Sequence, residues 1–99
     1  MGISSLKNKI SKDMTNLIQD ELVKKGLVDT GKLKRSIKTE VKFTNKGKLD
    51  INVAGEDYFK FLDNKFDIVK DAMNSSSFKK VSESIEELYV EFLEQQLDN

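Results

Sequence analysis

The chain has 99 residues and a mass of 11.3 kDa, room for one small domain (residues 1–99) but not for a catalytic domain with a separate cofactor domain. It holds no Cys and no His, which excludes disulfides, thiol and imidazole chemistry, serine triads and nearly all zinc and haem sites. Lys+Arg and Asp+Glu balance at 17 each, yet residues 1–48 hold 12 basic against 5 acidic and residues 49–99 hold 5 against 12, so the halves carry +7 and −7.

Folding either lays the acidic half against the basic one and neutralises it, or leaves a basic and an acidic side suited to head-to-tail association. Residues Met1 to Ser5 carry no apolar run of signal-peptide or membrane-span length. The expectation is a soluble intracellular product with no membrane association.

Residues Ile3 to Lys25 read as a helix. Leu6, Ile10, Met14, Leu17, Ile18 and Leu22 recur in steps of three and four and form one stripe. Ser4 or Ser5 is the expected N-cap. Lys24-Lys25-Gly26-Leu27 is a stop signal, with lysines offsetting the dipole, Gly26 in the left-handed position and Leu27 folding back as an apolar clasp.

Val28 to Ile37 is a connector. Asp29 and Thr30 are capping residues, Gly31 loosens the backbone, and Leu33-Lys34-Arg35-Ser36-Ile37 fits one helical turn with Leu33 and Ile37 on the same side. A capped turn joining helix to strand explains these residues without any function.

A β-hairpin follows, with alternation over Thr39–Thr44 and Leu49–Val53. Gly47 fits the left-handed third place of a three-residue loop, Asn45-Lys46-Gly47. That loop pairs Phe43 with Leu49 and Val41 with Ile51, and sets Lys42 against Asp50 as a salt pair. A two-residue turn would oppose Phe43 to Asp50, so the three-residue loop is preferred.

Gly55 to Asn74 concentrates Tyr58, Phe59, Phe61 and Phe66 within nine residues. Asp57 is placed to cap a short helix burying Tyr58, Phe61 and Leu62, and Asp67 another that turns Ile68, Val69 and Ala72 inward. Phe66 and Ile68 equally fit a short third strand. Asn74-Ser75-Ser76-Ser77 is a loop. Phe78 to Leu97 is the last helix, its seam of Phe78, Val81, Ile85, Leu88, Phe92 and Leu97 widened by Tyr89 and Leu93 and packed on the hairpin and first helix. The fold class is α+β: a long N-terminal helix, a connector turn, an antiparallel hairpin, one or two short helices and a long C-terminal helix packed on the sheet.

Carboxylates are the remaining candidates for catalysis. Glu83, Glu86, Glu87, Glu91 and Glu94 lie mostly opposite the apolar seam, as a solvated face does, and Glu56-Asp57 beside Tyr58 read as a helix cap. With no phosphate loop, dinucleotide fingerprint, calcium loop or catalytic signature, the expectation is no enzyme, no cofactor and no metal. Lys32, Lys34, Arg35, Lys38, Lys42, Lys46 and Lys48 form a basic stretch that a duplex backbone attracts, so non-specific nucleic-acid binding by residues 32–48 is the alternative.

Val28-Asp29-Thr30-Gly31-Lys32-Leu33-Lys34-Arg35-Ser36-Ile37 resembles a box in the tail-completion (neck, head-tail joining) proteins of long-tailed bacteriophages. Thr30, Gly31, Leu33, Ser36 and Ile37 match it place by place. The family's order of elements is an amphipathic helix, the box, a β-hairpin, a segment opening on Tyr, and a closing helix. Tyr58 falls where that segment begins, and Phe66 to Ala72 looks like the entry to the last helix. The resemblance implies a structural virion protein, present in host cytoplasm during assembly. It also implies a ring homo-oligomer contacting connector, neck or tail-tube proteins, with passing contact to packaged DNA. Lys32, Lys34, Arg35, Lys42, Lys46 and Tyr58 are the candidate inter-subunit or partner contacts.

Overall fold

The computed structural model describes residues 2–27, 31–44 and 46–97. Its elements are α1 (Ile3–Lys24), α2 (Lys32–Ser36), β1 (Lys38–Phe43), β2 (Leu49–Ala54), α3 (Phe59–Phe66), α4 (Ile68–Met73) and α5 (Phe78–Leu97). This is the expected α+β arrangement. The sheet has two strands, and Phe66 and Ile68 belong to α3 and α4, so the third strand is not formed among the described residues. No described helix is long and apolar enough to cross a membrane.

The stripe of α1 is the spine of the core. Leu6, Ile10, Ile18 and Leu22 are fully buried, and Met14 and Leu17 nearly so. Each such side chain contributes about 1.5–3 kcal/mol when removed from water. The C-terminal stop takes Schellman form: Leu27 N–H donates to Leu22 O at 2.9 Å, Gly26 N–H donates to Val23 O at 3.0 Å, and Gly26 has φ 69°. The N-terminus departs from expectation. Gly2, not Ser4 or Ser5, is the N-cap, and no side chain caps the helix. Both serines lie inside the first turn, where their N–H groups are among those that need a cap.

The hairpin has the register expected from its loop, Phe43 opposite Leu49, Lys42 opposite Asp50 and Val41 opposite Ile51. Thr44 N–H donates to Lys48 O at 2.7 Å across the loop, and Gly47 has φ 79°, a conformation costly for a residue with a Cβ. Lys42 and Asp50 face each other without an ion pair, contrary to expectation. On an exposed face a solvated lysine gains little from pairing. The inner face lies on α1: Ser11 Oγ donates to Thr39 O, and the Thr15 and Thr39 hydroxyls are 2.9 Å apart.

Helix α5 runs antiparallel to α1, with Val81 near Leu17 and Phe92 near the hairpin tip above Lys7. Phe43 stacks on Phe92 at 4.2 Å between centroids and meets Tyr89 edge-on at 5.7 Å. The Tyr89 hydroxyl accepts from Leu49 N–H at 3.2 Å. The seam is buried at Val81, Ser84 and Leu88 but ends before the helix does: Leu93 is 57% and Leu97 85% exposed.

The stretch from 56 to 74 departs most from expectation. Helix α3 starts at Phe59, capped by the backbone of Tyr58 rather than by Asp57, and it buries Phe59 while Tyr58 and Phe61 stay exposed. Asp67 does not cap α4 with its side chain. It takes a left-handed turn (φ 53°) between the helices, and Asp63 Oδ1 accepts Val69 N–H at 2.8 Å instead. Ile68 and Ala72 are buried as expected, and Val69 is half-buried.

Candidate functional site

The box is a clamp between three elements. Gly31, in the left-handed region at φ 77°, opens α2, and its carbonyl accepts Arg35 N–H at 3.0 Å. A Cβ there would stand 3.0 Å from Arg35 Nη1. The turn drives Leu33 and Ile37 into the core, with 4% and 3% exposure. Between them Ser36 Oγ donates to Leu33 O at 2.6 Å and accepts Glu56 N–H at 2.9 Å, tying the connector to the exit of β2. Gln19 of α1 donates to Lys34 O at 2.9 Å from the other side.

Gly55 completes the clamp. A Cβ on it would lie 2.9 Å from Ile37 Cδ1, 3.1 Å from Ser36 Oγ and 3.3 Å from Phe59 Cβ. The sequence alone did not single out Gly55, because two of the three partners it touches, Ser36 and Ile37, lie on the far side of the hairpin along the chain. The cap expected of Thr30 falls outside the described residues, as does Asp29.

The candidate contact residues do not form one site. Lys32, Lys34 and Arg35 are on α2, beside the C-terminal half of α1. Lys32 and Arg35 are exposed, with Lys32 Nζ 3.9 Å from Glu56 Oε1, and Lys34 borders an open cleft with Val23, Lys24 and Ser75. Lys42 and Lys46 are exposed on the hairpin, and Tyr58 is exposed before α3. The outer face of the hairpin is mixed in sign, with Lys38 and Lys42 sharing it with Glu40 and Asp50.

Four ion pairs form among the described residues. Two join the basic half to the acidic half, Lys25 to Asp71 at 2.6 Å and Lys32 to Glu56; the others join Lys24 and Lys25 to Glu21. Lys25 is held above its ordinary value of 10.5, first by the hydrogen bond it donates to Asp71, with burial opposing and the charges of Asp71, Glu21 and Asp67 assisting. No ion pair links α1 to α5 among the described residues, although the two helices pack side by side.

The sequence reading did not anticipate how many apolar side chains stay exposed. Tyr58, Phe61, Phe66 and Met73 stand on and around α3 and α4, and Tyr89, Val90, Leu93 and Leu97 on the end of α5. Among the described residues, no group of three or more acidic side chains is arranged to hold a metal ion. No family model, curated protein or solved structure matches the chain.

Proposed function

We propose that this protein is a structural component of a tailed-bacteriophage neck, joining head to tail as a ring of identical subunits. The observation that carries the proposal is the box in its setting. An amphipathic helix leads into a Gly31-opened turn whose Leu33, Ser36 and Ile37 fasten a hairpin to that helix, followed by an aromatic segment and a closing helix. That order matches the tail-completion family that the box resembles. A sheet of only two strands, and a chain whose first 48 residues carry +7 and whose remainder carries −7, also suit a subunit completed by its neighbours.

The role is mechanical, with no catalytic step. In a phage carrying the gene, deletion should give separate heads and tails by electron microscopy, and complementation should restore joined particles. Fully joined, infectious particles from the deletion strain would overturn the proposal.

Phosphate binding by residues 32–48 is favoured by one observation, the exposure of Lys32, Lys38, Lys42, Lys46 and Lys48. Glu40 and Asp50 interrupt that surface and oppose a duplex backbone. The neck function expects at most weak, sequence-blind DNA binding that falls steeply with salt. Tight duplex binding near physiological salt would establish the alternative.

A further inference from the structure

Successive residues of β2 turn their backbone groups alternately toward β1 and toward the outer edge, and the hairpin loop sets the phase. Thr44 N–H donates to Lys48 O at 2.7 Å, so Lys42–Asp50, Glu40–Asn52 and Lys38–Ala54 are the hydrogen-bonded pairs. The N–H and C=O groups of Leu49, Ile51 and Val53 therefore point away from β1. Two contacts agree with that phase: Leu49 N–H donates outward to the Tyr89 hydroxyl at 3.2 Å, and Thr39 O, on the opposite edge, accepts from Ser11 Oγ of α1. Helix α1 thus attends the β1 edge and Tyr89 the start of the β2 edge. The outward groups of Ile51 and Val53 have no hydrogen-bond partner among the described residues. Strand β2 also lacks the Lys, Pro and bulges that blunt an edge left to solvent, its one charge being Asp50.

We propose that β2 of one copy pairs antiparallel with β2 of a second copy across a twofold axis at Asn52, joining two hairpins into one four-stranded sheet. The pairing goes beyond the neck function and does not rest on it, since a twofold contact closes on two copies whereas a ring needs two different patches. Ile51 lies opposite the second copy's Val53, and Val53 opposite its Ile51. Each pair exchanges two N–H···O=C bonds, which uses all the free outward groups of both residues and leaves the Leu49–Tyr89 contact intact. Ile51 and Val53 are half-buried on the inner face, so apolar meets apolar there. On the outer face the exposed Asn52 amide meets its own copy, each supplying a donor and an acceptor.

Charge complementarity selects a second copy as the occupant, and this register. On the outer face Lys42, Asp50, the second copy's Ala54 and its Lys38 fall in one row. Ala54 is small enough for that Lys38 to reach across it to Asp50, two strand spacings or about 10 Å away. Asp50 forms no ion pair within its own subunit among the described residues. Beyond the strand the register carries the second copy's Lys48 toward Glu56 and its Lys46 toward Asp57. Residues 43–49 hold these two lysines and no acid, while the cleft past the end of β2 holds Glu56, Asp57 and Asp63 against Lys60, with Lys32 3.9 Å from Glu56. Shifting the pairing by two residues in one direction sets Asp50 opposite the second copy's Glu56. The opposite shift needs the Leu49 N–H that Tyr89 already holds, and brings the second copy's Glu40 into the row of Asp50.

The absence of cysteine makes the test direct. Asn52→Cys introduces a single thiol facing its own copy in a non-hydrogen-bonded pair, with Cα atoms about 4.5 Å apart and within disulfide reach. On mild oxidation it should give a disulfide dimer. Glu40→Cys, exposed on the same face but three strand spacings or about 14 Å from its counterpart, should stay reduced. Circular dichroism checks that both variants keep the fold. The unaltered protein should sediment as a dimer, its Ile51 and Val53 amides exchanging more slowly as concentration rises. Asn52→Lys gains Glu40 as a cross-strand neighbour in its own subunit, so its denaturation midpoint should hold or rise. Two lysines then meet at the axis, and the dimer dissociation constant should increase about fivefold or more. A monomer at the solubility limit whose Ile51 and Val53 amides exchange freely would overturn the inference. So would a dimer that Asn52→Lys leaves unchanged, or equal oxidation of the two cysteine variants. Edge amides protected only when a different protein is added would give the edge to that partner and overturn the second copy as its occupant.

Discussion

Two small residues, Ser36 and Gly55, set the packing of the box. Ser36 satisfies a backbone donor and acceptor at once, and Gly55 leaves the space into which Ile37 and Phe59 fit. Gly55→Ala should destabilise the fold by about 1–3 kcal/mol, since the added methyl meets packed side chains rather than a flexible surface group. Chemical denaturation measures this, and an unchanged midpoint would show that the clamp is loose. Leu33→Asp should unfold the domain or abolish assembly, because it places an unpaired charge in the core at a cost of several kcal/mol. A folded, assembly-competent Leu33→Asp protein would contradict a structural role for the box.

Lys25 gives the residue scale its pH dependence. Its folded value is raised, so the stability it contributes is complete below the unfolded lysine value and is lost as pH climbs through the folded one. Lys25→Met should therefore be less stable than the parent at neutral pH, with the gap closing on the alkaline side of 10.5. Paired thermal melts across that range test it, and a gap that widens with alkali would reverse the assigned sign.

At the scale of elements, legibility followed the strength of local constraint. The α1 stripe repeats from Leu6 to Leu22, about four and a half turns at 3.6 residues per turn, so one ambiguous position could not rotate its buried face. The hairpin register was fixed by Gly47 and the need to oppose apolar residues, and Phe43 opposite Leu49 followed. Helix α3 offered no such redundancy. It spans eight residues with aromatics on several sides, and a one-residue shift in its start turns its face by about 100°. Phe59 therefore took the buried place expected of Tyr58 and Phe61, helped by the close approach of Gly55. The box was legible as a turn with buried Leu33 and Ile37, but its tie to Glu56 N–H depends on a strand exit twenty residues away.

Helix α5 divides at the hairpin tip. Leu88 is fully buried, so Leu88→Ala should cost about 2–5 kcal/mol. Leu93→Ser lies past the Phe43–Phe92 stack and should change subunit stability by less than about 0.5 kcal/mol. Denaturation of both variants reads the contrast. A large loss at Leu93 would mean that the end of α5 is held by its own subunit.

At the scale of the whole molecule, the two halves of the chain differ by charge without cancelling through ion pairs. Only Lys25–Asp71 and Lys32–Glu56 bridge them among the described residues, and α5 keeps its five glutamates free of lysine partners from α1. Exposed charges of this kind act over about a Debye length, roughly 8 Å at physiological salt, and so favour approach and orientation. Apolar contacts between subunits, for which exposed side chains such as Leu93, Leu97 and Phe61 are available, are short-ranged, and salt screens them little. Assembly should therefore respond to salt mainly in its association rate, with dissociation nearly constant. Light scattering after concentration jumps gives the first quantity and dilution of preformed assemblies gives the second. If raising salt instead accelerates dissociation and leaves association unchanged, charge pairs rather than apolar contacts hold the subunits together.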